Sequence, residues 1–254
     1  MKPFVIIIPA RLASTRLPGK ILADIAGIPM VIRVAQQARK SKAARVIIAT
    51  DHADIAAAAA YHGVEVLMTL AHHPSGTDRL AEAADQLGLE HDDIVVNVQG
   101  DEPFMNPLLI DQVAQLLAAH PEAAMSTCAK PFANADDFAQ LNMVKVVCNQ
   151  MQEALYFSRA PIPCHNKSSF EAAKPLHHIG LYAYRAGFLQ KFPKLPRSPL
   201  ESIESLEQLR ALEFGYRIKV LITEAPTGFG IDTPADLDHA RRIAIAFDQG
   251  KPVQ

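Results

Sequence analysis

The residues best suited to do chemistry lie at the ends of two short apolar runs. The stretch Pro9-Ala-Arg-Leu-Ala-Ser-Thr-Arg-Leu-Pro-Gly-Lys20 places three cations, Arg11, Arg16 and Lys20, in one loop. Guanidinium groups grip phosphate oxygens bidentately, lysine acts as a mobile point charge, and exposed backbone N–H groups add donors. Such a cluster suits a polyphosphate, against the plainer reading of a solvated basic loop. It contains neither GxGxxG nor GxxxxGK[ST], so the dinucleotide fingerprint and the P-loop are both excluded. The second run ends in Val98-Gln99-Gly100-Asp101-Glu102-Pro103, a carboxylate pair at a strand end. Magnesium takes one or two carboxylates, keeps waters and bridges to substrate phosphates, so a second acid is expected from elsewhere. Asp232, in Gly230-Ile-Asp-Thr-Pro234, is the best donor. The same tract also suits a helix N-terminus, with Pro234 at the first helical position and Asp236 closing a capping box. The two roles are compatible if Thr233 caps and Asp232 stays free.

Weaker candidates follow. Ser75, Gly76 and Thr77, with Arg79, lie in a loop that opens a helix, where an anion can be met. Arg159 follows the strand-like run Ala154 to Ser158, and His178 and Tyr182 are four apart on another, hence on one face. A single histidine on a strand is more often structural than catalytic. The pairs His72-His73 and His177-His178 lack the spacing of a zinc helix, which excludes that metal reading.

The elements that position these residues alternate. Strand-like runs at Phe4 to Ile8, Arg45 to Thr50, Val64 to Met68 and Ile94 to Gln99 are separated by helical stretches at Met30 to Lys42, Asp54 to Tyr61 and Asp78 to Leu87. This rhythm predicts right-handed βαβ crossovers and an open, mostly parallel Rossmann-like α/β sheet with helices on both faces. Ligands of such sheets sit beyond the carboxyl ends of the strands. From about residue 131 to 199 the rhythm turns antiparallel, which suggests an insertion within one domain whose core is 1–130 and 200–254. The polar run Cys164 to Lys174 is expected to be a surface loop. A helix over Leu200 to Leu212, a strand over Ile218 to Thr223 and a helix over Pro234 to Ala246 complete the chain.

Composition narrows the class. The chain has 254 residues, 49% hydrophobic, and 25 basic against 27 acidic side chains, a net charge of −2. That balance gives no broad basic field for a nucleic acid or an anionic membrane surface. Three widely spaced cysteines, an odd number, point to a reducing compartment. No run approaches a membrane span and no signal-peptide core follows Met1, so the expected location is cytoplasmic.

Taken together these residues resemble, essentially end to end, the 3-deoxy-manno-octulosonate (Kdo) cytidylyltransferases, the CMP-Kdo synthetases of bacterial lipopolysaccharide assembly. PARLASTRLPGK, ATDH, SGTDRLAE, VNVQGDEP, ALYFSRAPIP, HHIGLYAYR, SPLESIESLEQLR and GFGIDTPADLDHARR occur in the family's order. The resemblance implies transfer of CMP from CTP to the anomeric hydroxyl of Kdo with loss of pyrophosphate, Mg²⁺ as cofactor, and a homodimer. It implies that Pro9, Ala10, Arg11, Ser14, Arg16 and Lys20, with Ser75, Gly76 and Thr77, bind nucleotide, and that Asp101 and Asp232 hold the metal. Arg79, Gln99, Arg159, His178, Tyr182 and Glu207 match positions lining the family's sugar pocket, while the insertion supplies sugar and dimer contacts. The run from Cys164 departs mildly from the family's pattern. GDEP with RLPGK favours Kdo over 8-amino-Kdo or a sialic acid, and Asp101-Glu102-Pro103 is not the DxD of a glycosyltransferase.

Overall fold

The computed structural model describes residues 3–14, 16–163, 170 and 174–248. In chain order the elements are β1 (Phe4–Ala10), β2 (Asp24–Ile25), β3 (Ile28–Pro29), α1 (Met30–Ala38), β4 (Arg45–Thr50), α2 (Ala53–Tyr61), β5 (Glu65–Met68), α3 (Gly76–Gln86), β6 (Ile94–Asn97), α4 (Pro107–Ala119) and β7 (Met125–Pro131). They continue with α5 (Ala135–Ala139), β8 (Lys145–Cys148), β9 (Ala154–Ser158), β10 (Leu176–Arg185), α6 (Ala186–Leu189), α7 (Pro199–Glu204), α8 (Gln208–Glu213), β11 (Ile218–Ile222) and α9 (Pro234–Asp248).

The sheet runs β11-β7-β10-β6-β1-β4-β5. Along this path every neighbouring pair is parallel except those made by β10, which is antiparallel to both β6 and β7. The hairpin β8–β9 joins the same sheet through the start of β10, where Leu176 faces Val146. The antiparallel character expected between 131 and 199 is therefore present, but β10 is built into the middle of the main sheet.

β1 shows why this sequence needs helices on both sides. Ile6 and Ile8 enter one core with Val31, Ile48, Val96 and Leu109, whereas Ile7 enters a second core with Leu80, Val95, Phe157 and Leu209. Successive strand residues point to opposite faces, so an all-apolar strand must be covered twice. α1 and α4 supply one layer and α3 and α8 the other. A third small core, including Ile25, Met30, Phe104, Ile231 and Leu237, fastens α9 to the β2–β3 hairpin.

Several elements differ from expectation. Pro107 opens α4 behind an Asn106 cap, and β7 follows it, where the sequence pattern had assigned neither. The single helix expected over Leu200 to Leu212 is two, because Ser205 adopts the left-handed conformation at φ 52°, ψ 47°. That break is held from outside: Arg159 Nε donates to the carbonyl of Glu204 at 2.8 Å, and the Glu204 carboxylate accepts from Ser158 Oγ and the Arg159 N–H. Ile203 is exposed. Apart from Phe170 and Lys174, the expected loop from Cys164 to Lys174 lies outside the described residues.

Candidate active site

β1 has β4 on one side and β6 on the other, so the chain path diverges on either side of its carboxyl end. A crevice opens at such a reversal, and ligands of open α/β sheets bind there. The basic loop leaves β1 over this crevice. Gly100 lets it sit close: a Cβ there would lie 3.0 Å from the Pro9 carbonyl oxygen and 3.1 Å from Ile21 Cδ1. Gly19, at φ 68°, then turns the chain into a single 3₁₀ turn that starts at Lys20. That turn aims the lysine across the crevice.

Lys20 Nζ donates to Asp101 Oδ2 at 2.6 Å, to Asp232 Oδ1 at 2.9 Å and to the Ile231 carbonyl at 3.1 Å. Arg16 Nη2 shares the same Asp232 oxygen at 2.9 Å. Burial works against the Lys20 charge, but the hydrogen bonds and charges of Asp101 and Asp232 outweigh it and raise its pKa. Asp232 is free for this contact because Thr233 does the capping: Thr233 Oγ1 accepts from the Asp236 N–H, and Asp236 accepts from the N–H groups of Asp232 and Thr233. The capping role of the GFGIDTP tract thus falls to Thr233 and Asp236, which leaves the Asp232 carboxylate facing the crevice. Asp101 and Asp232, 131 residues apart in the chain, converge on one cationic atom.

The crevice encloses about 330 Å³ and is lined by most of the expected residues. Pro9, Ala10, Arg11, Ser14, Arg16 and Lys20 form one wall, Ser75, Gly76 and Arg79 another, and Gln99, Asp101 and Asp232 the floor. α3 begins at Gly76, two residues earlier than expected, and Ser75 caps it by accepting from the Asp78 N–H. Arg79 is buried and paired, with Asp51 Oδ1 at 3.4 Å and Thr69 Oγ1 hydrogen-bonded to its guanidinium.

The remaining expected residues lie elsewhere. Thr77, Tyr182 and Glu207 meet around a smaller cavity of about 130 Å³ on the far side of the first turn of α3. His178 is buried, with Nε2 2.9 Å from Thr127 Oγ1 and its ring edge-on to Phe157. Burial lowers its pKa to about 3, so the ring is neutral. Arg159 fastens the carbonyls of Leu141, Glu204 and Ser205 and lines neither cavity.

Two residues had gone unrecognised. His73 lines the crevice with its Nε2 on the Glu82 carboxylate, which also accepts from the Leu70 N–H. In sequence it stands out only as half of the pair His72-His73. Glu102 was read only as the companion of Asp101, yet burial, with the charges of Asp101 and Asp232, raises its pKa to about 8. Its Oε2 is shielded from solvent and has no partner.

The donor set fits a magnesium ion completed by phosphate oxygens and water. Two carboxylates already face one point at cation-contact distance, and that point opens onto the crevice.

Similarity to known proteins agrees with this geometry. Residues 5–219 match the cytidylyltransferase family. A 3-deoxy-manno-octulosonate cytidylyltransferase of Acidovorax ebreus (strain TPSY) is 54% identical over 254 residues, spanning 95% of this chain and 97% of that protein. One of the same name from Verminephrobacter eiseniae (strain EF01-2) is 54% identical over 257 residues, spanning 95% and 94%. A solved structure of CMP:2-keto-3-deoxy-manno-octonic acid synthetase complexed with CTP superposes with a TM-score of 0.90 at 41% identity, covering 97% of this chain and all of that one. A Leptospira borgpetersenii cytidylyltransferase, at TM-score 0.62 and 19% identity over 96% of this chain and 87% of its own, shares the fold. With its basic loop, paired aspartates and full-length likeness to these enzymes, the chain belongs to the 3-deoxy-manno-octulosonate cytidylyltransferase family.

Proposed function

We propose that the chain transfers CMP from CTP to the anomeric hydroxyl of Kdo, giving CMP-Kdo and pyrophosphate, and so activates Kdo for lipopolysaccharide assembly. The observation that carries this reading is the convergence of Asp101, Asp232, Lys20 and Arg16 at the carboxyl end of β1. A triphosphate needs that density of positive charge, and a reacting α-phosphorus needs acids nearby to gather a divalent cation. The sugar hydroxyl attacks the α-phosphorus in line, a new C–O–P link forms, the bridging P–O bond breaks, and pyrophosphate leaves with its electron pair. The hydroxyl proton passes to water or phosphate, for no side chain need act as the sole base.

Arg11, Arg16 and Lys20 hold the triphosphate and offset the negative charge that grows on the leaving pyrophosphate; catalysis is chiefly positioning and electrostatics. Asp101 and Asp232 would hold Mg²⁺, which supplies charge neutralisation and lowers the pKa of a bound hydroxyl. In the ligand-free protein Lys20 holds the two carboxylates facing each other. We further propose a cytoplasmic homodimer. The apolar side chains of Met151, Leu155 and Ile222, exposed beside and on the neighbouring strands β9 and β11, support a self-association face.

The test is pyrophosphate release with CTP, UTP and ATP each paired with Kdo, 8-amino-Kdo and a sialic acid, with and without Mg²⁺. Turnover is expected for CTP with Kdo in the presence of Mg²⁺. Equal rates with all three nucleotides, or preference for a sialic acid, would overturn the assignment.

A further inference from the structure

Thr77 is grouped by sequence with the nucleotide ligands, but its side chain turns away from them. Ser75 and Gly76 line the crevice of the basic loop, whereas Thr77 is buried and lines the second cavity, with Tyr182, Tyr184 and Glu207. Thr77 Oγ1 donates to Glu207 Oε2 at 2.7 Å, across 130 residues of chain. A hydroxyl has one proton, so Thr77 can only accept from Tyr184, which is hydrogen-bonded to both Thr77 and Asn97. The chain of contacts Asn97, Tyr184, Thr77, Glu207 therefore ends on a carboxylate.

The Glu207 carboxylate also has the Ser75 hydroxyl beside it, but its Oε1, shielded from solvent, makes no well-formed hydrogen bond, and the same holds for Asn97 Oδ1. Acceptors left this way cost free energy until a donor arrives. Phosphates bring only acceptors and negative charge, which Glu207 repels. A polyhydroxylated sugar acid brings several O–H donors. The triphosphate is thus the wrong occupant for this cavity, and the hydroxyl-bearing part of the acceptor sugar a fitting one.

We infer that Thr77 is a positioning residue for the acceptor sugar acid, fixing the Glu207 carboxylate so that Oε1 stays available to a sugar hydroxyl. The assignment rests on the cytidylyl-transfer reading above and divides the start of α3 between the two substrates. Ser75 and Gly76 line the nucleotide crevice, Ser75 also reaching Glu207, and Thr77 organises the sugar side.

Thr77→Val removes the hydroxyl while nearly keeping the volume. The expected result is a KM for the sugar acid raised roughly tenfold, as for loss of one hydrogen bond to a charged group, with kcat and the KM for CTP within about twofold of the parent. Thr77→Ser should restore the sugar KM, which a purely steric role for the threonine methyl would not allow. Thr77→Ala reads the same split should the valine variant fail to fold. A raised KM for CTP with the sugar KM unchanged, or no change in either, would overturn the inference while the parent remains active. A parent that releases no pyrophosphate from CTP with Kdo would overturn it together with the reading beneath it.

Discussion

Lys20 does the most with a single atom. It holds two carboxylates that the chain separates by 131 residues. Replacing Asp101 or Asp232 by Asn removes a negative charge from this point without changing its shape. Each variant is expected to lose at least ~100-fold in pyrophosphate release, the scale at which single electrostatic partners act in transition states, and to need more Mg²⁺ for half-maximal rate. Near-parent activity in both would remove the metal assignment. For Arg16→Ala the loss is expected mainly in kcat, because the leaving group gains charge along the reaction coordinate. A raised KM for CTP at unchanged kcat would assign Arg16 to ground-state binding instead. The loop holding these cations was legible in sequence because cations, turn residues and strand end are contiguous. Thr77 and Glu207 were assigned to different substrates because nothing local signals a hydrogen bond across 130 residues.

Among the elements, the strands flanking the crevice announce themselves through their apolar runs, and the crossovers between them follow from handedness. The left-handed break at Ser205 does not. It depends on Arg159 and Glu204, which meet only after β9 and α7 have packed. α4 did carry a local signal, Asn106 before Pro107 with apolar residues at 109, 110, 113 and 117, and the N-cap geometry is as that dipeptide suggests. The position of β10 between β6 and β7 is a matter of long-range pairing that periodicity cannot encode. Two substitutions probe these elements. Ser205→Gly suits the left-handed conformation and is expected to raise stability by a few tenths to ~1 kcal/mol in urea unfolding. Glu201→Gln leaves Arg210 without its bidentate partner at 2.6 and 2.7 Å in a buried pair, and is expected to cost about 3–5 kcal/mol. A loss below ~1 kcal/mol would show that the pair between α7 and α8 is not what clamps the broken helix.

For the molecule as a whole, β10 also sets how stability responds to acid. Burial lowers the pKa of His178 to about 3, and burial with Lys130 and Lys145 nearby lowers that of His177 to about 4. Both rings are therefore neutral in the fold, while their unfolded value is about 6.5. The unfolded chain binds more protons below that value, so the contribution is full above pH 6.5 and falls as pH drops toward 4 and 3. Urea midpoints are expected to decline from pH 7 to pH 5, and His178→Gln should flatten that decline even if it lowers stability at pH 7. A variant whose midpoint tracks the parent at both pH values would contradict the buried, neutral state of the ring.

The whole arrangement exists, on this account, to break one bond at one phosphorus. CTP labelled with ¹⁸O in the α,β-bridging position and incubated with Kdo and Mg²⁺, then followed by ³¹P NMR, tests that directly. The expected outcome is an unlabelled CMP ester of the sugar with all of the label in pyrophosphate. Label retained in the nucleotide product, or pyrophosphate released at the same rate when Kdo is omitted, would contradict cytidylyl transfer.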